Sequence, residues 1–107
     1  MTNHTMIASN SRNLSMLPDK SVNLVVTSPP YPMIEMWDEM FTGQDSDIQI
    51  DLFNGNGMDA FNKMHDVLNA VWMECDRVLN DNGFVCINIG DATRTINGEF
   101  QLYSNHT

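Results

Sequence analysis

Positive charge is scarce in this sequence. Its 107 residues hold five Lys and Arg against 14 Asp and Glu, a net charge of −9. Affinity for a phosphate backbone comes largely from cations that displace counterions. Here Arg12, Lys20, Lys63, Arg77 and Arg94 are scattered along the chain, so by itself it should grip duplex DNA weakly if at all. Cysteine is scarce too. Cys75 and Cys86 lack metal-type spacing and sit among apolar neighbours, which reads as buried free thiols rather than a disulfide framework. His4, His65 and His106 have no Cys or carboxylate partner at ligand spacing, so no metal site is expected. No apolar run approaches the roughly 18 residues that span a bilayer. Met1 to Asn10 lacks the basic start and apolar centre of a signal peptide. A cytoplasmic protein without membrane contact is the expectation. A glycine-rich cofactor turn after a strand is missing as well. The nearest stretch, Asn54-Gly-Asn-Gly57, follows no strand and reads as a loop before a helix.

What is present suits one small globular domain: 42% of residues are hydrophobic, enough for a core. Thr5 to Ser9 is a candidate strand, and Ser11 to Leu17 a short polar turn of helix closed by Pro18-Asp19. Val22 to Thr27 contains three Val among four apolar residues, the composition of a strand buried on both faces in a parallel sheet. It stops at Ser28-Pro-Pro-Tyr31, where two prolines forbid ladder hydrogen bonds and force an extended loop. Pro32 to Phe41 has the apolar spacing of a short amphipathic helix. Thr42 to Gly57 reads as an acidic loop with one short ordered piece.

The strongest helix follows. Ala60, Phe61, Met64, Val67, Leu68, Val71, Trp72, Cys75, Val78 and Leu79 form one apolar stripe at three- and four-residue steps. Asp59 suits its positive end, and Asn82-Gly83 is expected to supply a left-handed stop. Met36, Trp37 and Trp72 read as core. Phe84 to Ile89 is a second buried strand, closed by Gly90-Asp91, and Asn97-Gly98 marks a hairpin in the tail. Strand, loop, long helix, strand is a βαβ unit, so the class is α/β with a mostly parallel sheet. Ligands of such sheets sit beyond the strands' carboxyl ends. Ser28 to Tyr31 and Asn88 to Asp91 fall on that rim.

The corner Thr27-Ser-Pro-Pro-Tyr31 carries the sharpest chemistry. The lone pair of an exocyclic base amine is delocalised into the ring, so alkylating it requires acceptors that favour a pyramidal, nucleophilic nitrogen. A Pro-Pro turn presents a backbone carbonyl at a fixed angle, and the residue before it adds a side-chain oxygen. An aromatic ring beside them can stack on a base flipped from its helix. Ser28, the Pro29 carbonyl and Tyr31 suit those parts, with Pro30 stiffening the corner. A serine hydroxyl is a weak base, so its expected part is acceptance and orientation.

Ser21-Val-Asn-Leu-Val-Val-Thr-Ser-Pro-Pro-Tyr31 resembles motif IV of the DNA methyltransferases that modify exocyclic amines, in its cytosine-N4 form. The adenine-N6 form more often begins with Asp or Asn. Glu74-Cys-Asp-Arg-Val-Leu-Asn-Asp-Asn-Gly83 and Phe84-Val-Cys-Ile-Asn-Ile-Gly-Asp91 resemble the family's later helix-to-strand segment, with Asn80-Asp-Asn82 in place of its usual Lys-Pro-Gly. Ile7 to Ser11 resembles motif III, with Asn10 where the family has an acid near the cofactor adenine.

The resemblance implies a partial Rossmann-like methyltransferase fold and S-adenosylmethionine as methyl donor, with Asn10, Thr27, Asn88 and Asp91 on the cofactor side. It implies the permuted motif order, in which the glycine-rich cofactor turn and the target-recognition region follow the catalytic motif. Residues 1–107 then form the catalytic-loop half of the domain, an N-terminal fragment inactive alone, with a complementary half or self-association covering its open sheet. A restriction-modification system is the expected setting. Two alternatives differ in class: an adenine-N6 enzyme, and a non-catalytic remnant that pairs with another chain. Protein-glutamine methyltransferases use Asn-Pro-Pro-Tyr, but their cofactor turn lies upstream of that motif, where this sequence has no room for it.

Overall fold

A computed structural model describes residues 1–106. Its first strand, β1 (Val22–Thr27), has the bounds that the Val-rich run predicts. A 3-10 turn (Glu35–Trp37) leads into α1 (Asp38–Gln44), which is followed by α2 (Asp47–Phe53) and the long α3 (Gly57–Val78). The stretch read as an acidic loop therefore contains the end of α1 and all of α2. Strand β2 (Leu79–Ile87) returns parallel to β1, pairing Leu24 with Phe84, Val25 with Val85 and Thr27 with Ile87. Strands β3 (Ala92–Ile96) and β4 (Glu99–Tyr103) form a separate antiparallel hairpin. Asn97 (φ 52°) and Gly98 (φ 80°) turn it, the doubly left-handed geometry that an Asn-Gly hairpin favours. The α/β class and its βαβ core stand as expected.

Three local expectations change. Thr5 to Ser9 forms no strand and is exposed, and Ser11 to Leu17 forms turns rather than helix. Gly83 is not a left-handed stop: α3 ends earlier, with Leu79 already extended at φ −75° and ψ 133°. The segment entering β1 ends the helix instead. The amides of Lys20 and Ser21 donate to the Arg77 and Val78 carbonyls at 3.0 and 2.8 Å, satisfying acceptors a helix terminus leaves open. Gly83 has a steric reason. A Cβ there would lie 3.0 Å from the Asn23 carbonyl oxygen and 2.7 Å from Leu79 Cδ1.

Burial departs most from expectation. The core gathers Met33, Phe41, Ile48, Ala60, Met64, Leu68, Ala92 and Tyr103, so it lies between the helices and the hairpin. Neither strand of the parallel pair supplies a buried residue from its paired stretch Leu24–Thr27 or Phe84–Ile87. Side chains alternate across a strand, and Leu24 (55% exposed), Val26 (72%), Phe84 (71%) and Cys86 share one uncovered face. The two-face burial read from the Val-rich composition, and from Cys86 in particular, is thus not met, because nothing among the described residues covers that face. Cys75 is buried, and desolvation raises its thiol pKa above the usual range. Trp37 and Trp72 border the core, whereas Met36 is 75% exposed. With the exposed N-terminal arm included, the radius of gyration is 15.9 Å, against about 13 Å for a compact chain of this length.

Ion pairs tie the outer pieces to the helices. Arg94 of β3 grips Asp38 of α1 through two bonds of 2.8 and 2.7 Å. Arg77 bonds Glu74 and the carbonyls of Leu14 and Leu17, holding the N-terminal arm on the last turn of α3. Two contacts hold the Glu74 carboxyl below its ordinary pKa: the Arg77 guanidinium first, then the Leu14 amide at 2.6 Å. Lys63 pairs with Asp51 and Lys20 with Asp81. Among the described residues only Arg12 of the five cations makes no ion pair.

Candidate active site at the strand exits

Strands β1 and β2 leave the sheet at the same end. The Asn88 amide donates to the Thr27 carbonyl at 2.9 Å, carrying the ladder one step past β2. Beyond it the chain after β1 is Ser28-Pro-Pro-Tyr31, and the chain after β2 is Ile89-Gly-Asp91. Neither proline has an amide hydrogen, so the ladder cannot continue along β1. Ser28 is exposed, Pro29, Pro30 and Tyr31 are half-buried, and Pro32 and Met33 are buried. The corner therefore sinks progressively into the molecule and keeps its serine at the surface.

A tight turn ends the corner. The Ile34 amide donates to the Tyr31 carbonyl at 3.2 Å, with Pro32 second in the turn and Met33 third at φ 69°. Proline followed by positive φ is the type II pattern. A left-handed methionine is strained, and its burial holds it: Met33 is 1% exposed, and its amide reaches Met64 Sδ of α3 at 3.4 Å. The Tyr31 ring lies against Gly90. A Cβ on that glycine would sit 3.2 Å from Cε2 of the ring.

The tail locks these pieces together. Asn105, 8% exposed, donates from Nδ2 to the Pro32 carbonyl at 3.1 Å and to the Gly90 carbonyl at 2.8 Å. Its Oδ1 meets His65 Nε2 of α3 at 2.9 Å. Its amide donates to Asp91 Oδ1 at 2.7 Å, and His106 Nδ1 lies 2.9 Å from the same oxygen. The Asn105 amide foremost, and the neighbouring His106 after it, hold the Asp91 carboxyl below its usual pKa.

Of the residues singled out from sequence, Thr27, Ser28, Pro29, Pro30, Tyr31 and Asn88 stand together on this rim. Asp91 is beside them, with one carboxylate oxygen engaged by the tail. Asn10 is elsewhere on the molecule but reaches the corner along a groove of about 410 Å³, lined among others by Asn10, Arg12, Pro30, Gln44 and Val67. Asn10 donates from Nδ2 to Gln44 Oε1 at 2.9 Å and accepts the Arg12 amide at 3.0 Å. The sequence reading missed Asn105, His65 and the left-handed Met33. Only Pro32, one residue past Tyr31, carried a local signal for the turn. No group of three or more His, Cys, Asp or Glu residues gathers as a metal cage among the described residues, and none of their helices is long and apolar enough to cross a membrane.

Comparison with known proteins adds a family. The family described as DNA methylase, of N6/N4 type, matches residues 22–104. The chain is 50% identical over 106 residues to the type II methyltransferase M.MthZI of Methanothermobacter thermautotrophicus, covering 98% of this chain and 30% of the relative. It is 47% identical over 117 residues to the type II methyltransferase M.MjaI of Methanocaldococcus jannaschii, covering 99% of this chain and 39% of that relative. It thus spans between 30% and 39% of the length of these relatives. No solved structure matches it.

Proposed function

The chain belongs to the DNA methylase family of N6/N4 type, and from that membership we propose that it carries the amine-orienting corner of a DNA methyltransferase acting on cytosine N4. One observation carries the reading. A proline-stiffened corner leaves a parallel strand with its serine exposed and its tyrosine ring half-buried against the exit of the neighbouring strand. Ser28 Oγ and the Pro29 carbonyl accept the two hydrogens of the target amine. This localises the nitrogen lone pair. Tyr31 stacks on the extruded base. The rest of the rate comes from alignment of the reacting atoms.

S-adenosylmethionine, the donor this family reading implies, supplies an electrophilic methyl on a sulfonium. One edge of a site for it fits this chain: the groove from Asn10 to Pro30, backed by Met40, Val67 and Val71. The remainder does not fit a preformed pocket. No buried side-chain nitrogen or oxygen among the described residues lacks a partner, and an Asp91 oxygen is held by the tail. We therefore read residues 1–107 as the catalytic-loop half. The glycine-rich cofactor turn, the target-recognition region and most of the DNA grip come from polypeptide beyond them, on the same chain or a second one. With four of five cations in internal ion pairs, these residues contribute little to phosphate binding. Alone they transfer no methyl.

The test is a graft in which this chain replaces the matching segment of the Methanothermobacter relative, assayed with labelled methyl donor on duplex DNA. Label recovered as N4-methylcytosine supports the reading, with Ser28→Ala and Tyr31→Ala each lowering the rate about a hundredfold. N6-methyladenine would move the target to adenine. A graft that transfers nothing while the parent relative remains active would overturn it.

A further inference from the structure

We propose that Asn105 is a positioning residue for the methyl-transfer corner, an inference that rests on reading Ser28–Tyr31 as the amine-orienting group. The two hydrogens of one side-chain amide reach the two backbones that hold Tyr31. One goes to the Pro32 carbonyl at 3.1 Å, in the residue after the ring. The other goes to the Gly90 carbonyl at 2.8 Å, in the residue on which the ring lies. A planar NH2 group fixes the separation of its two acceptors, so Asn105 sets the gap that Tyr31 occupies.

The amide is itself held. His65 Nε2 meets Oδ1 at 2.9 Å, which orients the amide plane, and Asp91 takes the backbone amide at 2.7 Å. His65 rides on α3, directly after the buried core residue Met64 and about one turn before Leu68. The corner is thus referenced to the helix through a residue 73 positions away in sequence from Pro32. Pro29 and Pro30 stiffen the corner internally, yet they have no amide hydrogens with which to anchor it. Without Asn105 the loop after β1 and the loop after β2 lose their two side-chain bonds, which leaves the Asn88–Thr27 backbone bond at the strand ends and the Tyr31–Gly90 contact. A fully bonded network of this kind fixes one geometry, which transfer to a planar amine requires.

Hydrogen exchange on the isolated chain and kinetics on the graft test this separately. Asn105→Asp keeps the side-chain size and faces both carbonyls with an acceptor. The expected result is at least about tenfold faster exchange of the Ile34 amide, which closes the Tyr31 turn, with the amides of α3 unchanged. In the graft, kcat falls about a hundredfold while KM for DNA holds. His65→Leu, which frees the amide plane and replaces the ring packed edge-on against Phe61 while keeping Asn105, gives a smaller change in the same direction. It serves as the probe if Asn105→Asp unfolds the chain. Unchanged Ile34 exchange in the folded variant overturns the positioning role, as does a kcat that is normal per folded molecule. If the unsubstituted graft transfers no methyl, the functional reading fails, while the exchange experiment still decides whether Asn105 sets the corner.

Discussion

The Tyr31 ring rests on Gly90 so closely that a Cβ on the glycine would sit 3.2 Å from Cε2 and 3.5 Å from Cδ2. Position 90 needs its glycine for this approach and not for a left-handed backbone, since its φ is not positive. Tyr31 is only half-buried, so its ring can yield by tilting outward. Gly90→Ala should therefore cost under about 1 kcal/mol of stability, typical of a change outside the tight core. The tilt moves the stacking surface, however. In the graft, methyl transfer should fall about tenfold or more. Thermal melting and single-turnover kinetics on the same variant check the two halves, and an unaltered rate would separate the ring from the chemistry.

Met33 sets two effects against each other. Its φ of 69° is left-handed, a conformation that costs an L-residue roughly 1–2 kcal/mol and glycine almost nothing. Its side chain is 1% exposed within the core, and emptying such a site costs roughly 2–5 kcal/mol. Burial wins. Met33→Gly should lower stability by about 2 kcal/mol even though it removes the strain, because glycine also adds freedom to the unfolded chain. The urea midpoint of the variant measures it, and a stabilised variant would mean that the turn, not the packing, dominates.

Local patterns carried much of this fold, and residue pairs distant in sequence carried what was missed. Val22–Thr27 was legible because β-branched density and the prolines after it are both local signals. The Asn97-Gly98 turn was legible because two left-handed residues have few alternatives. Helix α2 was obscured. It is seven residues long, acidic, and held by Ile48 in the core and the Asp51–Lys63 pair, contacts no period reveals. The stop of α3 was misplaced because its carbonyls are satisfied by Lys20 and Ser21, from the other side of the helix in sequence. Of the site, the corner was legible from Ser28-Pro-Pro-Tyr31, whereas Asn105 stands in a polar tail where only its partners distinguish it.

Acid should loosen the N-terminal arm through Glu74. Its carboxyl accepts from Arg77 at 3.0 Å and from the Leu14 amide at 2.6 Å, and its folded pKa lies below the ordinary value. A depressed carboxyl pKa means that the unfolded chain takes up its proton first as pH falls. The stabilisation is present in full above the ordinary carboxyl range, near about pH 4.3. It is lost as pH drops through the lower folded value. Asp91 acts in the same sense. Glu74→Gln should be less stable than the parent at neutral pH and show a shallower fall below about pH 5. Urea midpoints across that range test the sign, and parallel curves for the two proteins would remove Glu74 from the acid response.

The open face of the parallel pair makes a prediction about association in which two forces compete. Leu24, Val26 and Phe84 are 55%, 72% and 71% exposed on one side of β1 and β2, an apolar strip of a kind that soluble monomers seldom leave bare. Among the described residues both strands also have an unpaired edge, which invites pairing between molecules. Against this stands a net charge of −9, whose repulsion reaches about 30 Å at 0.01 M salt but only about 8 Å at 0.15 M. Charge should keep the chain apart at low ionic strength, and apolar burial should join it as salt rises. The mass measured by light scattering should accordingly grow with both protein and salt concentration. Val26→Thr with Phe84→Thr keeps strand propensity and net charge while removing apolar area, so the double variant should stay monomeric at salt concentrations where the parent associates. A parent chain that remains monomeric in high salt would show that this face is tolerated in water, and would remove the physical reason for expecting a second polypeptide to cover it.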